Sequence, residues 1–335
     1  MTIDERISAF IRLGESLKSL PVAGRQELQE KIENQNVWFT KENVDRALSG
    51  IISWLIEAKL QKWISSYQLA GKQKTIGIVM AGNIPLVGFH DLMCVLLSGH
   101  KAKIKVSSSD SVLTNFIIDK LIELEPRFKD SIETTEFLKH VEGIIATGSD
   151  NSSRYFEYYF RSIPHIIRKN RSSCAILMGE EDASSLQNLA LDVFSYFGLG
   201  CRNISKLFVP EGFPVESILK HWDPYQTLIN HHKYANNYDY HKSILLMNQI
   251  PFFDNNFILL TKNTSLVSPL ANLYYENYSH QDDLKEKLNR DQEKIQCMVS
   301  AKGWYNGSVE FGQAQSPEIN DYSDNIDTMS FLAKV

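Results

Sequence analysis

Between Thr75 and Ala146 the hydrophobic period of the chain switches back and forth, and that alternation limits the fold more than any other feature. Thr75 to Met80 reads as a buried strand that breaks at Gly82. A helix is expected from Pro85 to Leu97, because proline is tolerated at a helix start and Leu86, Phe89, Leu92, Met93 and Leu96 keep one apolar face. Lys101 to Val106 reads as a second strand, Asp110 to Leu124 as a second helix, and Gly143 to Ala146 as a third strand. Strand, helix, strand, helix, strand specifies a parallel α/β sheet. Ahead of it, beyond a loop at Ala70-Gly71-Lys72-Gln73, Ile7, Phe10, Ile11, Leu13, Leu28, Ile32, Val44, Leu48, Ile51 and Leu55 recur at helical spacing. They predict a helical lead-in.

At 335 residues the chain has room for two domains, each with its own core. The net charge is −5 and no dense Lys/Arg stripe appears, which argues against nucleic-acid binding. The polar start Met1-Thr2-Ile3-Asp4 and the lack of a long apolar run predict a cytoplasmic protein with no signal peptide and no membrane span. Cys94, Cys174, Cys201 and Cys297 are scattered without CxxC spacing, so reduced thiols are expected rather than disulfides or zinc.

In a parallel sheet, ligands bind beyond the carboxyl ends of the strands. Three polar clusters fall there: Ala81-Gly82-Asn83, Lys105 with Ser107-Ser108-Ser109, and Thr147-Gly148-Ser149. Lys105 and the serines suit ribose or phosphate oxygens, and the backbone N–H groups of Gly148 and Ser149 suit a pyrophosphate at a helix start. There is no GxGxxG. Further on, Gly198-Leu199-Gly200-Cys201-Arg202 brings one thiol out of a glycine-rich turn beside cations, with Lys206 a few positions later. A thiol near Lys or Arg ionises more readily and so becomes a better nucleophile. A buried, inert cysteine is the alternative. His231, His232 and His241 lie in a polar, aromatic stretch read as a loop, with spacing poor for a metal; no metal site is expected. His165 beside Cys201 would make a cysteine hydrolase or acyltransferase, but a histidine satisfied within a strand is the plainer reading.

The order of these clusters resembles the aldehyde dehydrogenase superfamily. Ala81-Gly82-Asn83-Ile84-Pro85-Leu86, Gly198 to Lys206, Phe311-Gly312-Gln313-Ala314-Gln315 and Asp327-Thr328-Met329 resemble its acyl-CoA reductase (LuxC-type) branch, over roughly residues 70 to 333. The resemblance implies an aldehyde-dehydrogenase-like fold: helical lead-in and Rossmann-like cofactor domain over 1–178, a smaller catalytic domain over 179–306, and a segment 307–335 returning to the cofactor domain or a subunit interface. It implies Cys201 as nucleophile and Asn83 as oxyanion donor with the Cys201 N–H; a helix N-cap is the other role open to Asn83. Cofactor contacts are expected at Gly82, Lys105, Ser107, Ser108, Thr147, Gly148 and Ser149, with Glu293 or nothing at the nicotinamide ribose, because Lys294 competes for that position. Oxidising members carry a water-activating glutamate where this chain has Arg168 or Lys169, and NAD-preferring members carry a ribose-binding glutamate where it has Ser108. These departures point to NADPH-dependent reduction of an acyl-CoA or acyl-protein thioester to the aldehyde. An acyl-activating enzyme partner and a homo-oligomer are implied by the family alone. A thioesterase or acyltransferase, and a non-catalytic nucleotide-binding protein, stay open. Tyr196, Phe197, Trp222, Tyr225 and Phe252 are candidates for an acyl tunnel. The acidic run Asp321 to Asp327 reads as a solvated segment or subunit arm.

Overall fold

The computed structural model describes residues 1–69 and 71–335; Ala70, the first residue of the expected loop, lies outside the described residues. The chain divides into two compact units, Met1–Asn170 with Pro317–Val335, and Arg171–Ser316. The expected boundaries at 178 and 306 both fall inside the second unit, and only 317–335 returns to the first.

The first unit begins with four helices, α1 (Ile3–Lys18), α2 (Val22–Gln35), α3 (Lys41–Trp54) and α4 (Glu57–Ile64). A capping box opens α1, where Glu5 N donates to Thr2 Oγ1 at 3.2 Å and Thr2 N donates to Glu5 Oε2 at 2.7 Å. The alternating segment then gives β1 (Thr75–Val79), α5 (Phe89–Leu97), β2 (Lys101–Lys105), α6 (Ser111–Leu124), β3 (Ile132–Thr134), β4 (Gly143–Thr147), α7 (Asp150–Phe160) and β5 (His165–Arg168). The five strands are parallel in the order β3-β2-β1-β4-β5. β1 is central, with Ile78 in register with Ile104 on one side and Ile145 on the other. The chain moves first to one side of β1 and later to the other, which makes the carboxyl ends of β1 and β4 the switch point. Every residue of α5 but His90 is buried, which accounts for its nearly uninterrupted apolar sequence.

The helix expected from Pro85 starts only at Phe89. Leu86 has φ +57°, a left-handed conformation that a right-handed helix excludes, and its N–H donates to Asp110 Oδ2 at 2.8 Å. Gly88 then packs so closely on Met80 that a Cβ there would lie 2.6 Å from Met80 Cγ. The acidic run Asp321 to Asp327 is solvated only in part, with Asp321, Ser323, Asn325 and Ile326 exposed. Tyr322 is buried, accepts from Trp63 Nε1 at 2.9 Å and shares a hydrogen bond with Tyr67, while Asp327 caps the C-terminal helix Thr328–Leu332.

The second unit carries β6 (Ser172–Ile176), α8 (Ala183–Phe194), β7 (Ile204–Pro210), α9 (His232–Met247), β8 (Phe252–Asp254), β9 (Leu259–Lys262), β10 (Asn272–Tyr278), α10 (Gln281–Arg290), β11 (Ile295–Ser300) and β12 (Val309–Glu310). Its sheet runs β12-β11-β6-β7-β10-β9-β8, parallel except for β8 against β9. Ser243 to Leu246, a short apolar run that on sequence alone reads as a strand, lies within α9, and the stretch around His231 to His241 is helix rather than loop. His231 is the N-cap of α9, its Nδ1 accepting from Tyr234 N at 3.3 Å. No helix among the described residues is long and apolar enough to cross a membrane.

Candidate active site

Cys201 stands in the turn between α8 and β7, and the backbone leading to it is strained. Tyr196, Phe197 and Gly198 have φ of 52°, 57° and 81°, three left-handed residues in succession. Positive φ is ordinary for glycine and rare for bulky side chains, costing about 1–3 kcal/mol per residue, so packing must hold it. The Phe197 ring lies 4.5 Å from the His231 ring and 6.0 Å from that of Tyr234.

Asn203, 2% exposed, ties the turn together. Its Oδ1 accepts from Gly200 N at 2.8 Å, and its Nδ2 donates to Asp192 O at 3.0 Å and Ser195 O at 2.8 Å. These are carbonyls at the end of α8, where the helix itself offers no donors. Ser173 Oγ donates to the Cys201 carbonyl at 2.9 Å. Sequence reasoning did not single out Asn203 or Ser173. An asparagine shortly after Gly198 and Gly200 is a turn signal, but its several partners become visible only when α8 and β7 are side by side.

Among the four cysteines, Cys201 alone is not buried, and none is in a disulfide. Burial pushes the thiols of Cys94 and Cys174 well up from the ordinary range, which keeps them protonated. The cations expected beside the thiol are otherwise engaged. Lys206 is fully buried and pairs with Glu276 Oε2 at 2.5 Å while donating to Asn263 O at 2.8 Å. Arg290 also reaches Glu276, at 3.0 Å, so the lysine belongs to a cluster inside the sheet. Arg202 donates to Ala314 O at 3.5 Å. Trp222, a tunnel candidate, is buried with Nε1 donating to Leu186 O at 2.9 Å and packs edge-to-face in the core against Phe194.

Glu293 is exposed on a 3-10 turn, Gln292–Lys294, just before β11. β11 pairs with β6 at Ile295 and Ser172, and β6 with β7 at Ser173 and Ile204. Glu293 and Cys201 therefore share the amino-terminal edge of this sheet, two strands apart.

In the first unit the polar clusters gather at the carboxyl ends of β1, β2 and β4. A Cβ on Gly82 would lie 2.3 Å from Ser107 Oγ, so the Asn83 turn and the serine loop are in direct contact. Asn83 is exposed and is not an N-cap; Gly88 occupies that position. Lys105 and Ser108 are exposed, and Ser107 and Thr147 are partly buried. Ser149 is the N-cap of α7, accepting from Ser152 N at 3.3 Å. The Gly148 N–H, expected to face a pyrophosphate, instead donates to Arg168 O at 3.3 Å. The remaining donors are an ammonium and several hydroxyls, with no carboxylate from Lys105 to Ser109, and this set fits an anionic ligand rich in oxygen.

Arg168, one of the two positions at which the resemblance expects a water-activating carboxylate, is buried. Its Nη1 pairs with Asp91 Oδ2 at 2.5 Å and its Nη2 donates to Thr328 Oγ1 at 2.9 Å. His165 Nδ1 is within 2.9 Å of Ile163 O at the start of β5. Among the described residues no group of three or more His, Cys, Asp or Glu is arranged to hold a metal.

Residues 24–213 match the family model described as acyl-CoA reductase (LuxC). The chain belongs to that family. No curated protein matches it. Solved structures with the same fold include an aldehyde dehydrogenase of Mycobacterium tuberculosis complexed with NAD+, with TM-score 0.65 and 10% identity over 90% of this chain and 73% of that one. Aldehyde dehydrogenase 21 of Physcomitrella patens, in complex with the product succinate, has TM-score 0.66 and 11% identity over 99% and 88%. An NADP-dependent glyceraldehyde-3-phosphate dehydrogenase of Bacillus halodurans, complexed with NADP, has TM-score 0.65 and 12% identity over 90% and 74%. These likenesses establish an aldehyde-dehydrogenase-like α/β fold, and LuxC family membership makes the chain an oxidoreductase of acyl groups and aldehydes.

Proposed function

We propose that this LuxC-family protein reduces an acyl thioester, a fatty acyl-CoA or acyl-protein, to the aldehyde through an S-acyl Cys201, with NADPH as reductant. The observation that carries the reading is that one thiol of four is reachable, at the tip of a strained turn fixed by Asn203 and Ser173.

Cys201 Sγ attacks the thioester carbonyl carbon, the bond to the carrier sulfur breaks, and the departing thiolate takes up a proton. NADPH, when bound, supplies the hydride that adds to the S-acyl carbonyl. The bond from that carbon to Cys201 Sγ then breaks as the oxygen regains its double bond, releasing aldehyde and the thiolate. Asn83 and the Cys201 N–H are assigned to the developing oxyanion, where losing one donor typically costs about 10²- to 10³-fold in rate. Water is a competitor for the acyl group. A buried arginine paired with Asp91, at one of the two positions where the resemblance expects a base, supports reduction over hydrolysis.

Gly82, Lys105, Ser107, Ser108, Thr147 and Ser149 are assigned to the cofactor, with Gly148 in a packing role and Glu293 on the nicotinamide ribose. Structural neighbours complexed with NAD+ and with NADP support a nicotinamide dinucleotide. Ser108 favours the phosphorylated form, because serine donates to a 2′-phosphate that a carboxylate would repel.

Cys201→Ala tests this directly. It is expected to abolish acyl-CoA-dependent NADPH consumption and leave NADPH binding intact. Release of free CoA by the unaltered protein without cofactor would instead mark a thioesterase or acyltransferase.

A further inference from the structure

The segment Phe311–Ala314, one of the stretches on which the resemblance to the acyl-CoA reductase branch rests, takes no part in the chemistry above. Phe311 is anchored in the core of the second unit at 2% exposure. Gly312 follows with φ +87° and lies flush on α8, where a Cβ would come 3.3 Å from Asn188 Cβ. Both N–H groups that this segment turns toward α8 end on one carboxylate: Gly312 N donates to Asp192 Oδ2 at 2.6 Å and Ala314 N to Asp192 Oδ1 at 2.9 Å. Asp192 is fully buried. Its backbone carbonyl in turn accepts from Asn203 Nδ2 at 3.0 Å, and Asn203 Oδ1 holds Gly200 N at 2.8 Å, one residue before the thiol.

We propose that Phe311–Ala314 is a strap over α8, and that Asp192 is the positioning residue through which the strap fixes the turn bearing Cys201. The proposal rests on the reading of Cys201 as the acyl-accepting nucleophile. A carboxylate is the side chain that fits, because its two oxygens accept from two N–H groups at once. The amide of asparagine has one accepting oxygen and would turn its NH₂ toward the second donor. Keeping a charge in this place is costly. Burial pushes the Asp192 carboxyl up to about 7 even though two N–H groups oppose the shift, and a group kept at that cost in a structural position needs a partner worth holding.

The strap also limits relaxation. Tyr196, Phe197 and Gly198 are strained, so a turn released from Asn203 has lower-energy conformations to adopt. The thiol would then leave its reactive placement while α8 and β7 persist. An error of about 1 Å in such placement can cost on the order of 10²-fold in rate.

The test uses the full-length protein and iodoacetamide as probe, with alkylation of each cysteine followed by peptide mass spectrometry, and with kcat and KM for acyl-CoA and NADPH measured in parallel. Asp192→Ala is expected to slow Cys201 alkylation and lower kcat by about tenfold or more, with KM for NADPH within about twofold. Asp192→Asn, which keeps one acceptor, is expected between wild type and alanine. Gly312→Ala, which lifts the strap off α8 and leaves the Asp192 side chain itself unaltered, is expected to slow alkylation in the same way. Should Asp192→Ala fail to fold, Asp192→Asn and Gly312→Ala decide the matter. A lowered melting temperature with alkylation and kcat within twofold of wild type in both would reduce the strap to a structural element and overturn the proposal. If the unaltered protein shows no preferential alkylation at Cys201, it is the nucleophile assignment that fails.

Discussion

Replacing Asn203 with alanine should damage the second unit more than its size suggests. The side chain satisfies the N–H of Gly200 at 2.8 Å and the carbonyls of Asp192 and Ser195 at 3.0 and 2.8 Å, all within a buried turn. Alanine leaves those groups without their partner, and an unsatisfied buried polar group costs about 1–3 kcal/mol. Three such groups, with some relief from entering water, come to about 3–6 kcal/mol, a large part of the 5–15 kcal/mol that ordinarily separates folded from unfolded. Asn203→Asp should be no rescue, because its carboxylate can accept from Gly200 but would face two carbonyl oxygens. The assay is urea unfolding of the full chain, together with the native-state alkylation rate of Cys201. A midpoint change equivalent to less than about 1 kcal/mol, with alkylation unchanged, would refute the claim that this amide holds the turn.

Asp110 and Asp192 provide a pH signature. Burial pushes both carboxyls up to about 7, from ordinary values near 3.8. A raised folded-state pKa favours the protonated folded form, so the stability each group contributes is full below its unfolded value and is lost as pH rises toward 7. The loss is on the order of 4 kcal/mol at most per group. Unfolding of Asp110→Asn and Asp192→Asn against wild type should therefore show a difference that moves in the variants' favour between pH 4 and pH 7; a flat difference contradicts the assignment. Glu276→Gln strips the buried Lys206 of its carboxylate and should destabilise the protein by about 3–5 kcal/mol in thermal or urea unfolding. Ser108→Glu should shift the preference from NADPH toward NADH, measured as the ratio of kcat/KM values. An unchanged ratio removes the argument from the 2′-phosphate.

The alternating unit was legible because β1 and β4 are short apolar runs bounded by turn residues, β2 alternates lysine with apolar residues, and periods of two and of three to four residues do not mimic each other for long; β3, three residues with a single apolar one, gave no such signal. What escaped was decided by distant partners. Leu86 continues the apolar face of a helix on paper, but Asp110, from the next loop, holds its N–H in a left-handed turn. Ile244, Leu245 and Leu246 form a run too short to distinguish strand from helix, and α9 is built instead on a polar stretch capped by His231. The thiol turn was recognisable from its glycines. Its cations were misread, since spacing alone cannot reveal that Lys206 points into the sheet toward Glu276. In the same way, the tail appeared acidic and solvated until Tyr322 and Asp327 were seen bonded to Tyr67.

Peptide mapping after the protein is incubated with acyl-CoA in the absence of NADPH bears most directly on the central claim. The account predicts one acyl adduct, on Cys201, discharged as aldehyde when NADPH is added. An adduct on Cys94, Cys174 or Cys297, or an acyl-CoA that is reduced with no adduct at Cys201, would contradict it.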